Sequence, residues 1–119
     1  MKKKILVVER DEDILYIIRH LLEEQGYAVG VSITEEGIVD RVIKEKPDII
    51  LLDIIKPTAE GTALCNALKR VPSIKHIPVI VLSTYPQIQT VKIECADDII
   101  DKPFDISEII NVIEDHLAA

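Results

Sequence analysis

Short, unbroken apolar runs alternate along this chain with longer stretches in which apolar residues recur every three or four positions. Ile5-Leu6-Val7-Val8, rich in β-branched residues, predicts a strand covered on both faces. From Glu12 to Gln25 the apolar positions Ile14, Leu15, Ile17, Ile18, Leu21 and Leu22 fall at helical spacing, and Gly26 supplies a C-terminal stop. Tyr27 to Val31 reads as a second, shorter strand. Thr34 then opens a second helix, with Glu35 and Glu36 in its first turn and an end near Pro47. Asp48-Ile49-Ile50-Leu51-Leu52-Asp53 repeats the buried-strand signature. A third helix is expected from about Ala59 to Arg70, because Pro72 cannot continue it. Ile77 to Leu82 gives a fourth strand and Asp98 to Asp101 a weaker fifth. Ile106, Ile109, Ile110, Val112, Ile113 and Leu117 form the apolar stripe of a closing helix. Between strands four and five, Tyr85 to Ala96 is short and poorly periodic with Pro86 at its start, so the helix there is expected to be abbreviated or irregular.

Strands alternating with helices at this spacing predict a parallel sheet with helices on both faces, joined by right-handed crossovers. The expectation is an α/β, flavodoxin-like, doubly wound sheet of five strands in the order 2-1-3-4-5, with five helices, the fourth short or irregular. In such a sheet ligands bind beyond the carboxyl ends of the strands, at the switch point between strands one and three.

Composition narrows what the site is for. The 119 residues suit a single domain over 1–119, with no output domain in this chain, and 48% hydrophobic residues suffice for a core without staples. A formal charge of −7 argues against direct binding to nucleic acid or to an anionic membrane. The basic start, Met1-Lys2-Lys3-Lys4, leads into an apolar run too short for a signal peptide or a membrane span, so a cytoplasmic location is expected. Cys65 and Cys95 are widely separated, with no CxxC and no His cluster nearby, and read as reduced core thiols.

The strand ends carry the chemistry. Strand one ends in Glu9 and Arg10 with Asp11 next, strand three in Asp53, strand four in Ser83 and Thr84, strand five in Lys102. Any one of these alone reads as the first solvated residue of a loop. Together, carboxylates, a hydroxyl and an ammonium around one crevice suit phosphoryl transfer, which needs an acceptor oxygen, a cation site, a hydrogen-bond donor and a fixed positive charge. No P-loop, GxGxxG or Ser-His-Asp order competes.

Four stretches resemble the receiver domains of two-component response regulators over nearly the whole chain. They are Lys4-Ile5-Leu6-Val7-Val8 before acidic residues; Pro47 to Asp53 with Pro57 and Gly61 behind; Ile77-Pro78-Val79-Ile80 leading to Ser83; and Lys102-Pro103-Phe104. The resemblance implies a phosphorelay role in signal transduction and no enzyme activity beyond assisting its own phosphorylation and dephosphorylation. Asp53 would accept a phosphoryl group from a histidine kinase or phosphotransfer protein. Ser83 would hydrogen-bond the aspartyl phosphate, Lys102 would pair with it, and bound Mg²⁺ would screen the charge with the backbone carbonyl of Ile55 among its ligands. The downstream target would be a protein, and homodimerisation is left open.

Two departures qualify that likeness. Where such domains usually carry two adjacent acidic residues, this chain has Glu9 and Arg10, and a guanidinium cannot bind Mg²⁺. Either Arg10 swings outward, leaving Glu9, Asp53 and the Ile55 carbonyl, aided by Asp11, as a weakened metal site, or it lies against Asp53 in place of the cation. Three positions before the lysine, where an aromatic residue is usual, stands Ile99, whose branched side chain has no ring to swing. Two rivals remain. One is a pseudo-receiver acting as an interaction module independent of phosphorylation. The other is a flavin carrier or small hydrolase on the same fold, disfavoured because only Tyr16, Tyr27, Tyr85 and Phe104 are aromatic and Ile55 stands where a second catalytic aspartate would.

Overall fold

The structure is a computed structural model that describes residues 2–118. Five strands, β1 (Lys4–Val8), β2 (Ala28–Ser32), β3 (Ile49–Asp53), β4 (Val79–Ser83) and β5 (Asp98–Asp101), form one parallel sheet in the order β2-β1-β3-β4-β5. Four α-helices connect and flank them: α1 (Glu12–Glu24), α2 (Ile38–Glu45), α3 (Ala63–Arg70) and α4 (Ile106–Ala118). This is the flavodoxin-like topology expected from the pattern.

Successive residues of a strand point to opposite faces, and here both faces are covered. Ile5, Val7, Ile49, Leu51, Ile80, Leu82 and Ile100 pack on one side with Leu15, Ile18 and Leu22 of α1 and with Ile109 and Ile113 of α4. Leu6, Val8, Ile50, Leu52, Val79 and Val81 pack on the other with α2 and α3. Strand β3, central in the sheet, is buried at every residue including Asp53. A carboxylate at the end of such a strand is held rather than merely solvated.

Local chemistry sets the element ends. The Asp11 carboxylate caps α1, accepting from the amides of Asp13 at 2.9 Å and Ile14 at 3.2 Å. Gly26, at φ +93°, takes the left-handed position that ends it. Helix α2 starts at Ile38, not at Thr34. The Thr34 hydroxyl instead accepts the Glu36 amide within a bend, and Gly37 at φ +72° turns the chain into the helix. Likewise α3 begins at Ala63 rather than near Ala59. Thr58 and Gly61 fold a tight turn in which a Cβ on Gly61 would lie 2.0 Å from the Lys56 carbonyl oxygen, so only glycine fits. The expected fourth helix, of five, is reduced to one 3₁₀ turn at Ile88–Thr90, as its weak periodicity and Pro86 foreshadow.

One expectation is overturned. Cys65 on α3 and Cys95 before β5 are not free thiols but form a disulfide, with Cα atoms 5.7 Å apart. Linear spacing hid the pairing, because α3 packs against the β4–β5 connection only in three dimensions. Closing a loop of this length stabilises the fold by about 3–4 kcal/mol in the chain-entropy picture. We therefore expect dithiothreitol, or Cys65→Ser, to lower the melting temperature by several degrees, measured by calorimetry. An unchanged melting point under reductant would refute the bond.

Candidate functional site

Parallel strands deliver their carboxyl ends to one edge of the sheet, and register aligns them. Asp53 faces Leu82 across β3 and β4, Ser83 faces Asp101 across β4 and β5, and the Lys102 amide donates to the Ser83 carbonyl at 2.8 Å. Glu9, directly after β1, is fixed by its backbone N–H, which donates a hydrogen bond to the Ser32 carbonyl, and is only 1% exposed. Glu9, Arg10, Asp53 and Lys102, singled out in the sequence, thus meet in one cluster.

Lys102 is its centre. Its side chain is 7% exposed, and Nζ lies 3.1 Å from Asp53 Oδ1 while also donating to Glu9 Oε1. The second Glu9 oxygen accepts the Asp11 amide at 3.1 Å. Arg10 approaches from the solvent side: Nε lies 3.4 Å from Asp53 Oδ2, and a terminal guanidinium nitrogen donates to the Asp53 backbone carbonyl at 3.4 Å. Two carboxylates face two cations, and the formal charge of the cluster is zero. Among the described residues no buried side-chain polar atom lacks a partner.

The remaining candidates fall differently. The Ser83 hydroxyl is buried beside this edge and accepts the Tyr85 amide at 3.1 Å. Asp11 points to the α1 terminus as its cap and not to the site. Ile55 has an exposed side chain and lines, with Arg10, Glu35, Lys56, Thr58, Glu60 and Gly61, an open cleft of about 320 Å³ that Asp53 itself does not line. Lys56 and Thr58 had not been singled out, although Pro57 and Gly61 flagged their loop. Ile99 is half-buried against the α2/α3 core and its carbonyl accepts from Gln89 at 2.8 Å.

A hard divalent cation takes an open set of oxygen ligands. Here Glu9 is committed to Lys102 and an amide, Asp11 to capping, and Asp53 to Lys102 and Arg10. Among the described residues, no three acidic, His or Cys side chains are grouped to hold a metal. The donor set does not fit Mg²⁺.

The comparisons agree on the class. The sequence profile of the response regulator receiver domain matches residues 5–114, and the chain belongs to that family. It is 32% identical over 110 residues to PhoP, the alkaline phosphatase synthesis transcriptional regulatory protein of Bacillus subtilis, covering 92% of this chain and 46% of that protein. The chain thus spans about half the length of that relative. Among solved structures, it is similar to the signal receiver domain of a signal transduction histidine kinase from Syntrophus aciditrophicus, with a TM-score of 0.85 and 32% identity over 98% of this chain and 90% of that one. The receiver domain of a sensor histidine kinase from Pseudomonas aeruginosa shares the fold at a TM-score of 0.86 and 20% identity over the full length of both chains. That domain has a magnesium ion in its active-site cleft.

Burial raises the Glu9 pKa above its ordinary 4.5, aided by the Asp53 charge and opposed by the hydrogen bonds from Lys102 and the Asp11 amide. Because the folded value lies above the unfolded one, the unfolded chain gives up this proton first. The stability Glu9 contributes is therefore complete below about 4.5 and is lost as pH rises through the folded value. Glu9→Gln, which imitates the protonated acid, lacks this dependence. The melting-temperature advantage of the native protein over Glu9→Gln should shrink as pH rises from 4.5; an advantage that grows would contradict the shift. Lys102→Met removes the cation between two buried carboxylates, and should cost about 3–5 kcal/mol at neutral pH in chemical denaturation.

Proposed function

We propose that this chain is a phosphorelay receiver whose Asp53 carboxylate takes a phosphoryl group from the phosphohistidine of a histidine kinase or phosphotransfer protein. An Asp53 oxygen attacks phosphorus in line, the P–N bond breaks, and the ring leaves with the electron pair as neutral imidazole, its other nitrogen already carrying a proton. Asp53 supports this reading by its position, a strand-end carboxylate paired with a buried lysine and with Arg10, which itself lines an open cleft. Lys102 then pairs with the aspartyl phosphate, and the Ser83 hydroxyl proton supplies a hydrogen bond to it. Charge near Asp53 matters because a carboxylate and a phosphoryl dianion repel.

The chain acts as a regulatory phosphoacceptor in the cytoplasm, and its phosphorylated state alters contact with a protein target rather than with nucleic acid or a membrane. Among the described residues no helix is long and apolar enough to cross a membrane. With Ile99 in place of a ring, any conformational signal travels through another residue. Tyr85 suits that part, because its amide is bonded to the very hydroxyl that phosphorylation would recruit. Mg²⁺, common in receiver domains, finds no fitting donor set here while Arg10 lies on Asp53.

The Arg10–Asp53 contact also favours a second reading, a pseudo-receiver whose acceptor is permanently paired and whose interactions ignore phosphorylation. Acetyl phosphate with Mg²⁺ separates the two. A phosphoryl mass increment on the native protein, absent from Asp53→Asn, is the expected result; no increment on the native protein would support the pseudo-receiver. Mg²⁺ titration should give a weak affinity that rises roughly tenfold or more in Arg10→Asp, as Coulomb attraction replaces repulsion. Equal, tight binding by both proteins would exclude the weakened site.

A further inference from the structure

Resting on the receiver reading, we infer that Arg10 is the resident cation of the phosphoryl site, so that Asp53 is loaded and holds its phosphoryl group without a divalent metal. Charge comes first. Glu9 and Asp53 are already balanced by Lys102 and Arg10, so no deficit is left for a divalent ion to fill. The β1 end also presents no free carboxylate toward Asp53. Glu9 is buried beneath Lys102, and Asp11 is spent on the α1 cap.

Anchoring comes next. One guanidinium nitrogen donates to the backbone carbonyl of Asp53, a bond that survives when the side chain becomes an acyl phosphate. Nε, now beside Oδ2, and the remaining N–H groups then face the added oxygens. A planar fork of donors with permanent charge matches a phosphoryl group in geometry as well as in sign. The Arg10 side chain is 44% exposed, touches Asp53 and lines the open cleft, so it is within reach of an incoming donor and has room to adjust. Lys56 lines the same cleft, where Glu35 and Glu60 balance the two cations, so the positive charge on Asp53 comes from Arg10 and Lys102 and not from the cleft as a whole.

The step balances without a metal or a proton. With acetyl phosphate, the Asp53 oxygen forms a bond to phosphorus, the bond from phosphorus to the acetyl oxygen breaks, and acetate leaves with the electron pair. The carboxylate charge lost from Asp53 reappears on acetate. Arg10 and Lys102 offset the phosphoryl charge throughout, held in place before the donor arrives.

The test is acetyl phosphate loading of the full chain, followed by intact mass, in EDTA and in Mg²⁺. The native protein should load at comparable rates in both. Arg10→Gln should load about 100-fold more slowly in EDTA, Arg10→Lys should keep part of the metal-free rate, and Arg10→Asp should load only with Mg²⁺. Native loading that EDTA abolishes overturns the inference and leaves the receiver reading standing. Metal-free loading that is unchanged in both Arg10→Gln and Arg10→Asp also overturns it. No loading of the native protein in either buffer overturns the receiver reading together with it. Circular dichroism of each variant separates loss of loading from loss of fold.

Discussion

The Lys102 ammonium lies between the carboxylates of Glu9 and Asp53, so the carboxyl ends of β1, β3 and β5 share one charge pairing at an edge sealed from most solvent. Two acids this close would repel each other strongly in a medium of low polarity, and burial alone disfavours both anions. The lysine makes the arrangement tenable, and it does so from the far end of the chain. Its backbone amide is tied to the Ser83 carbonyl, so the same residue joins strand pairing to charge pairing. The sheet and the site are therefore one structure: a slip of register on β5 would withdraw the cation from both acids.

Arg10 differs from Lys102 in kind. Lysine is a buried point charge whose removal strands two carboxylates. The guanidinium is half in solvent, approaches at 3.4 Å, and is held partly by a backbone carbonyl. An exposed contact of this sort adds little to stability, so on the proposed reading it serves the site rather than the fold. A site that is already neutral at rest has its positive charge fixed before a phosphoryl group arrives, which is the condition for electrostatic preorganisation.

The β4–β5 side of the fold departs from the expected pattern as well. The connection from β4 to β5 is one 3₁₀ turn where a helix is expected, and the Cys65–Cys95 disulfide ties that connection to α3. Segments that move in signalling are drawn from the less stable parts of a fold. Here the cross-link restrains the stretch before β5 and lies away from Thr84 and Tyr85 after β4, whose side chains are exposed.

Much of this was legible in residue order. Apolar runs bounded by polar ends gave the five strands, their alternation with helical stripes gave the parallel topology, and strand-terminal residues pointed to Asp53, Ser83 and Lys102, because a parallel sheet brings all its carboxyl ends to one edge. Helix starts were less legible: Thr34 and Ala59 look like entries, but the turns at Gly37 and Gly61 delay them. Three matters belonged to tertiary structure alone. Whether Arg10 swings away or lies on Asp53 depends on a guanidinium reaching the next strand's carbonyl, which no local preference encodes. Asp11 serves the helix rather than the metal site because its cap geometry is decided by where α1 begins. Cys65 and Cys95 meet only because α3 packs beside the β4–β5 connection. Periodicity determines which face is buried; only packing decides which neighbours a buried or half-buried side chain finally meets.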